Sequence, residues 1–228
     1  NRFHVIALDL KGFGFTAKPS GDYTLGTQAD LVMQLLDHLK IEKAVLCGQS
    51  MGGKVVLRVA ARHPERVSAL ILVDSGGVKI GKGKPANRSI TRWPVIGPLV
   101  AALALTSDSF VRDGLLKCYY DKAKVTEDRV ATCYRVMKTR AGLSATRATY
   151  AQALPELTEP MISSLRQPTL IIWGAQDQLV PLEAGKKFNT LISGSRLVVF
   201  EQCGHAPQNE MPERFGKEVT EFLTSLPQ

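Results

Sequence analysis

A single serine between two glycines is the part of this sequence that most directly predicts chemistry. It lies in the run Gly48-Gln49-Ser50-Met51-Gly52, which follows an apolar stretch and precedes a segment with helical spacing. This pattern is typical of a strand–turn–helix nucleophile elbow, in which a strained turn exposes the serine hydroxyl above a sheet. The turn is tight, so we expect side chains at the flanking glycines not to fit.

A serine alcohol ionises far above neutral pH and needs a neighbouring base to act as a nucleophile. Three of the four histidines, His4, His38 and His63, lie inside or at the end of a predicted strand or helix, which favours structural roles. His205 follows a predicted strand in a loop, and open parallel sheets place their sites in such loops. We therefore predict that His205 is the base.

A neutral imidazole needs a carboxylate to fix its tautomer and its orientation. Asp177 stands in the loop that follows the apolar run ending at Trp173-Gly174. Asp74, at the end of an earlier apolar run, is the alternative. Asp177 gives the chain order Ser, Asp, His with both partners on loops, and this order favours it.

Apolar runs that alternate with helical segments predict an α/β fold, with a mostly parallel sheet covered by helices on both faces. Between residues 78 and 165 the sequence shows only helical segments, so we expect a helical cap there, inserted into a core formed by residues 1–77 and 166–228. The predicted strands span residues 3–10, 43–48, 69–74, 168–174 and 195–200. The predicted core helices span residues 26–39, 51–62, 182–192 and 211–225, and the cap helices lie near 94–105, 108–120, 126–140, 143–153 and 158–166.

Composition narrows the classes of protein to consider. The chain has 228 residues, of which 44% are apolar, and no apolar run approaches the length of a transmembrane helix. Its four cysteines show no CxxC spacing, so we expect a reduced, cytoplasmic protein without a metal site. Residues 76–165 carry 14 Lys and Arg against 7 Asp and Glu, which is most of the net charge of +8. No nucleic-acid-reading motif accompanies these charges.

The sequence resembles the α/β-hydrolase superfamily, in its subgroup with a helical cap. The resemblance implies Ser50 as nucleophile, His205 as general base and then acid, Asp177 as its orienting acid, and the backbone N–H of Met51 as one oxyanion donor. The motifs that carry it are Asp9-Leu10-Lys11-Gly12-Phe13-Gly14, Gly48-x-Ser50-x-Gly52-Gly53, His63-Pro64-Glu65-Arg66-Val67, Trp173-Gly174-x-x-Asp177 and Gly204-His205-Ala206-Pro207-x-x-Glu210. We expect a structural role for Glu210 despite its position in the last of these motifs, and the serine mechanism needs no metal or organic cofactor.

Members of this family begin earlier, with three further strands and a His-Gly loop that supplies the second oxyanion donor. We therefore expect this sequence to be a fragment of a longer chain. In the family, one of those strands lies between the strands that correspond to residues 3–10 and 43–48. The pairing of residues 3–10 with the sheet would then be lost.

Other residues are expected to contact the substrate or to lie next to the site residues. We predict that Gln49, Trp173 and Phe13 contact substrate, with a core position as the alternative for Trp173. Cys47 and Cys203 flank the site residues, and we expect both to be small buried apolar residues rather than a redox switch.

The leading hypothesis is a serine hydrolase that cleaves carboxylic esters with an apolar acyl group through an acyl-enzyme. The alternatives are a C–C bond hydrolase of a diketone-like substrate and a catalytically weak, ligand-binding receptor. The expected partner is a small or lipid-like ester. The basic residues 79–92 precede an apolar stretch, which we expect to be a helix that roofs the pocket and packs on the core. The alternative is that this segment docks on an anionic membrane or an acidic carrier protein.

Overall fold

Four parallel strands form the sheet in the part of the protein that the structure describes. The computed structural model describes residues 2–80, 107–152 and 157–226. The strands are β1 (Ala44–Gln49), β2 (Val67–Val73), β3 (Thr169–Gly174) and β4 (Arg196–Phe200). They lie side by side in chain order and all run in the same direction. Their four carboxyl ends therefore meet at one edge.

The helices alternate with these strands, and most fall within a few residues of their predicted limits. Those of the core are α1 (Leu25–His38), α2 (Met51–Arg62), α7 (Leu182–Leu191), α8 (Pro207–Glu210) and α9 (Pro212–Ser225). Those between β2 and β3 are α3 (Asp108–Cys118), α4 (Glu127–Met137), α5 (Arg140–Ala151) and α6 (Glu159–Ser163). The helix predicted at 94–105 lies outside the described residues.

The sheet is covered on both faces because successive side chains of a strand point to opposite sides. On β2, Leu70 and Leu72 pack with the apolar residues of α1, α2 and α7. Ile71 and Val73, which alternate with them, pack with Phe222 of α9 on the other face. All four side chains are almost fully buried, which confirms the predicted α/β arrangement.

The segment 3–10 does not form the buried strand that its apolar residues predict. It has no strand pairing in the described residues, and Val5 is 81% exposed. A β-strand needs a neighbour to receive its backbone hydrogen bonds, and none of the four strands borders this segment. The expected loss of pairing between residues 3–10 and the sheet is thus observed.

The described helices α3 and α4 have a small apolar core of their own. Val111, Tyr119, Val125 and Val130 are buried together, and Ala206 completes this cluster. In contrast, Ile162 of α6 is buried in the main core with α2 and α7. The end of the segment predicted as a cap therefore packs as part of the main domain, and the cap limits of 78 and 165 stay a prediction.

Within the described residues, no helix combines the length and the apolar character that crossing a membrane would need.

The close contact between β3 and the loop after β4 predicts a strong effect of a single methyl group. A Cβ at Gly174 would stand 1.8 Å from the backbone oxygen of Gly204, so Gly174→Ala must displace the main chain. We expect this change to lower the free energy of unfolding by about 2–3 kcal/mol, as overpacking does. Urea denaturation measures it.

Gly216→Ala is the matched control, because a Cβ there meets no atom within 4 Å. Gly216 lies inside α9, so this change should raise stability by about 0.5–1 kcal/mol. Equal stabilities of the two variants would contradict the close contact at Gly174.

Candidate active site

Ser50 stands at the turn between β1 and α2 in a backbone conformation that non-glycine residues rarely adopt. Its φ is 51° and its ψ is −112°. Two backbone hydrogen bonds hold it there: its N–H donates to the Val73 oxygen at 3.0 Å, and its oxygen accepts the Gly76 N–H at 3.0 Å. The strained turn expected for a nucleophile elbow is therefore present.

The glycines around this turn differ in whether a Cβ atom would fit at their positions. A Cβ at Gly48 would lie 2.4 Å from the Gly52 oxygen, and one at Gly53 would lie 2.0 Å from the Ser75 hydroxyl oxygen. A Cβ at Gly52 would meet nothing within 4 Å. The expectation that both neighbours of Ser50 need to be glycine is thus correct for Gly48 and wrong for Gly52.

His205 lies in the loop after β4, and its backbone is held on both sides. Its N–H donates to the Cys118 oxygen at 2.6 Å, and its oxygen accepts a hydrogen bond from the side-chain amide of Gln49. Gln49 directly precedes Ser50, so this bond joins the loop of the predicted base to the turn of the predicted nucleophile. The ring is buried, with 7% of its side chain exposed.

Asp177, in the loop after β3, is hydrogen bonded to His205 as the sequence predicts. Its Oδ2 lies 2.6 Å from Nδ1 of the imidazole. Its Oδ1 accepts the backbone N–H groups of Leu179 at 2.7 Å and Val180 at 3.0 Å. With Nδ1 engaged in this way, Nε2 is the ring nitrogen left to exchange a proton with a substrate or a serine.

A second buried carboxylate, that of Glu210, ties the His205 loop to the segment after α3. Its Oε1 accepts the N–H of Gly204 at 2.7 Å, and its Oε2 accepts those of Tyr120 at 2.8 Å and Asp121 at 3.1 Å. Lys124 donates from Nζ to the backbone oxygen of Glu210. These contacts agree with the structural role expected for Glu210.

Asp74 places a third carboxyl group beside the histidine. It follows β2, is fully buried, and accepts the Gly174 N–H through Oδ1 at 2.9 Å. Asp74, Asp177 and His205 each offer a polar atom within 4.8 Å of the other two, a spacing that also suits a metal ion. The hydrogen bond between His205 and Asp177 satisfies these two groups without a metal.

The residues predicted to contact substrate occupy different environments. Trp173 is fully buried, donates its indole N–H to the Val180 oxygen at 3.0 Å and packs on Phe188. These contacts support its alternative position in the core. Phe13 is partly buried in the first turn of the chain. The side-chain amide of Gln49 is occupied by His205 and Gln208.

Met51 is the first residue of α2, where backbone N–H groups lack partners within the helix. Its N–H is therefore suited to the oxyanion donor role that the sequence implies.

The two cysteines near the site differ in exposure. Cys203 is fully buried, and burial raises the pKa of its thiol, so it stays a protonated apolar residue as expected. Cys47 is exposed on β1, which forms one edge of the four-stranded sheet, so the expectation that it is buried is wrong.

The comparisons with known proteins agree on one family. The model of a family described as having the alpha/beta hydrolase fold matches residues 1–212. A 2-hydroxymuconate semialdehyde hydrolase from Pseudomonas sp. is 32% identical over 227 residues, which cover 96% of this chain and 76% of that protein.

Two solved structures are also similar. A meta-cleavage product hydrolase from Pseudomonas fluorescens superposes with a TM-score of 0.79 at 29% identity, covering 96% of this chain and 79% of that one. A membrane phospholipase A, a bacterial virulence factor, gives a TM-score of 0.76 at 29% identity, covering 99% of this chain and 71% of that one.

The contacts of Glu210 predict that its side chain stabilises the fold. Glu210→Ala leaves three backbone N–H groups without their acceptor, and we expect it to lower the free energy of unfolding by about 3 kcal/mol. Glu210→Gln keeps one acceptor oxygen and should cost about 1–2 kcal/mol. Urea denaturation compares the two variants.

The exposed Glu213, three residues further on, provides the matched control. Glu213→Ala should change stability by less than about 0.5 kcal/mol. A loss in Glu210→Ala no larger than in this control would contradict the contacts described.

Proposed function

The chain belongs to the α/β-hydrolase superfamily, and from this premise we propose that it is a serine hydrolase acting on a C–C bond next to a carbonyl group. In this mechanism Ser50 is the nucleophile, His205 the general base and Asp177 the residue that orients the base. The observation that carries the proposal is the buried hydrogen bond of 2.6 Å between His205 and Asp177, at the sheet edge where Ser50 also lies.

The chemistry follows from what each group is able to do. Nε2 of His205 accepts the Ser50 proton as Oγ forms a bond to the substrate carbonyl carbon, and the Met51 N–H stabilises the resulting oxyanion. The imidazolium is stabilised by Asp177. When the tetrahedral intermediate collapses, the imidazolium returns the proton to the leaving group. Water, activated by His205, then releases the acyl group as an acid.

A C–C substrate differs from an ester only in its leaving group. A carbon leaves with the electron pair of the broken bond, so that pair must be delocalised into a neighbouring carbonyl. In meta-cleavage products such as 2-hydroxymuconate semialdehyde, the keto tautomer supplies this acceptor through a conjugated double bond. The products are then a dienol acid, formed by protonation of the dienolate, and a second acid.

The relatives support the C–C substrate over the ester that the sequence first suggested. A curated relative 32% identical to this chain carries the name of a C–C bond hydrolase, and so does a superposed structure. Ester hydrolysis is the second candidate, since the phospholipase A aligns with 99% of this chain. The same three residues serve both reactions.

Two substrates assayed in parallel decide between these candidates. We expect the protein to hydrolyse 2-hydroxymuconate semialdehyde with a kcat/KM at least about tenfold above that for p-nitrophenyl butyrate. The first reaction is measured by the fall in absorbance of the conjugated substrate, 2-hydroxymuconate semialdehyde. The second is measured by the release of p-nitrophenol. The reverse ratio would support the ester hydrolase instead.

Ser50→Ala tests the shared mechanism. We expect it to lower kcat by about 10⁴-fold or more on the better substrate without unfolding the protein. Ser193→Ala changes an exposed serine before β4 and is the control, with an expected change below about twofold. Undiminished turnover by Ser50→Ala would overturn the proposed nucleophile.

A further inference from the structure

Asp74 is a buried acid that the three-residue mechanism does not use. It follows β2 directly, with a φ of 42°, in the left-handed region that a non-glycine residue rarely occupies. Its N–H donates to the Ile172 oxygen at 3.1 Å, and its Oδ1 accepts the Gly174 N–H at 2.9 Å. The residue after β2 is thereby joined to the last three residues of β3, through Ile172 and Gly174.

The other oxygen of this carboxyl group has no hydrogen-bond partner in the part of the chain that the structure describes. Oδ2 of Asp74 is buried and accepts no hydrogen bond from the described residues. An ionised carboxylate needs several donors to offset its loss of hydration, and here only one N–H is available. Asp177 has three donors in the same region: His205 Nδ1 and the N–H groups of Leu179 and Val180.

The groups that face Asp74 make a second negative charge there still less favourable. Asp177 and His205 lie within 4.8 Å of it, and the charge of Glu210 and the thiol of Cys203 also act on this region. Burial raises the pKa of Asp74 to about 8, and the Gly174 hydrogen bond lowers it less than burial raises it. The nearby charges of Asp177 and Glu210 raise it further.

We propose that Asp74 is a positioning residue that holds a proton beside the Asp177–His205 pair, so that the histidine faces one carboxylate charge rather than two. Only the catalytic consequence of this proposal rests on the proposed function. With Asp74 neutral, the single charge of Asp177 sets the basicity of His205. When Asp74 loses its proton, the second charge stabilises the imidazolium, and His205 gives its proton to the leaving group less readily.

The sign of the effect on stability follows from linkage. The pKa of Asp74 is about 8 in the folded protein, against 3.8 for an unperturbed aspartate. The folded state therefore binds more protons than the unfolded state between these values, and stability falls as the pH rises through this range. Asp74→Asn removes this dependence. Its amide oxygen still accepts the Gly174 N–H, and its NH₂ group stays neutral at every pH.

Thermal unfolding of the whole chain between about pH 5 and pH 9 tests the proposal without any substrate. We expect the Tm of Asp74→Asn minus that of the wild type to increase by about 5 °C or more between pH 5 and pH 8. Asp30→Asn is the control, because it removes an exposed carboxylate that is paired with Arg62. The difference in Tm between Asp30→Asn and the wild type should stay constant between pH 5 and pH 8. Parallel curves for Asp74→Asn and the wild type would overturn the proposal.

Infrared spectroscopy of the wild type keeps the proposal testable if Asp74→Asn does not fold. A protonated carboxyl stretch should be present near pH 6 and disappear in a transition near pH 8. Its absence at pH 6 would show that no buried acid holds a proton.

The pH profile of kcat separates a positioning role from a purely structural one. The wild type should show an ionisation near pH 8 that Asp74→Asn lacks. Identical profile shapes would limit Asp74 to a structural role and so overturn its catalytic consequence. Failure of the proposed function appears separately, as undiminished turnover by Ser50→Ala.

Discussion

The site depends on two consecutive strands that end in a strained backbone. Ser50 after β1 has a φ of 51°, and Asp74 after β2 has a φ of 42°. Each such residue costs about 1–3 kcal/mol and keeps its conformation only because its surroundings hold it. Here the Ser50 N–H is bound by the Val73 oxygen, and the Ser50 oxygen by the Gly76 N–H. The two turns therefore support each other, and the pairing of β1 with β2 keeps both side chains at one edge.

Three carboxyl groups meet in a small buried region, and the number of donors around each distinguishes their roles. Among the described residues, Asp177 accepts three hydrogen bonds and Glu210 accepts three from backbone N–H groups and one from the Cys203 thiol, whereas Asp74 accepts one. Charge repulsion makes simultaneous ionisation of close carboxyl groups unfavourable, so the proton belongs on the least solvated group. Apart from Nδ1 of His205, the donors to Asp177 are backbone N–H groups, so the fold of the loop after β3 determines how well this carboxylate is solvated.

How much of this arrangement the sequence predicts depends on the range of the interactions involved. The positions of Ser50, Asp177 and His205 after strand ends are predictable because strand ends and a short glycine motif are local features, and the parallel order then brings these loops to one edge. Their catalytic roles stay a prediction. The segment 3–10 was mispredicted because a strand depends on a neighbour that its own residues do not encode. Cys47 is exposed on the same strand on which Leu46 is buried, because successive side chains of a strand point to opposite faces and the face of Cys47 is not covered at this position in the described residues.

The connection between α3 and the predicted base was beyond sequence reasoning for a different reason. It is made by main-chain groups: the Cys118 oxygen accepts the His205 N–H, and the N–H groups of Tyr120 and Asp121 bind the Glu210 carboxylate. Main-chain groups are the same in every residue, so composition and spacing carry no trace of such bonds.

This connection has a mechanical consequence for the site. Glu210 also accepts the Gly204 N–H, so one buried carboxylate joins the segment after α3 to the residue before His205. A displacement of that segment by more than a few tenths of an ångström must either break these bonds or move His205 with it. Under the proposed function, a substrate that contacts this segment would therefore influence the position of His205, and so the chemical step as well as binding.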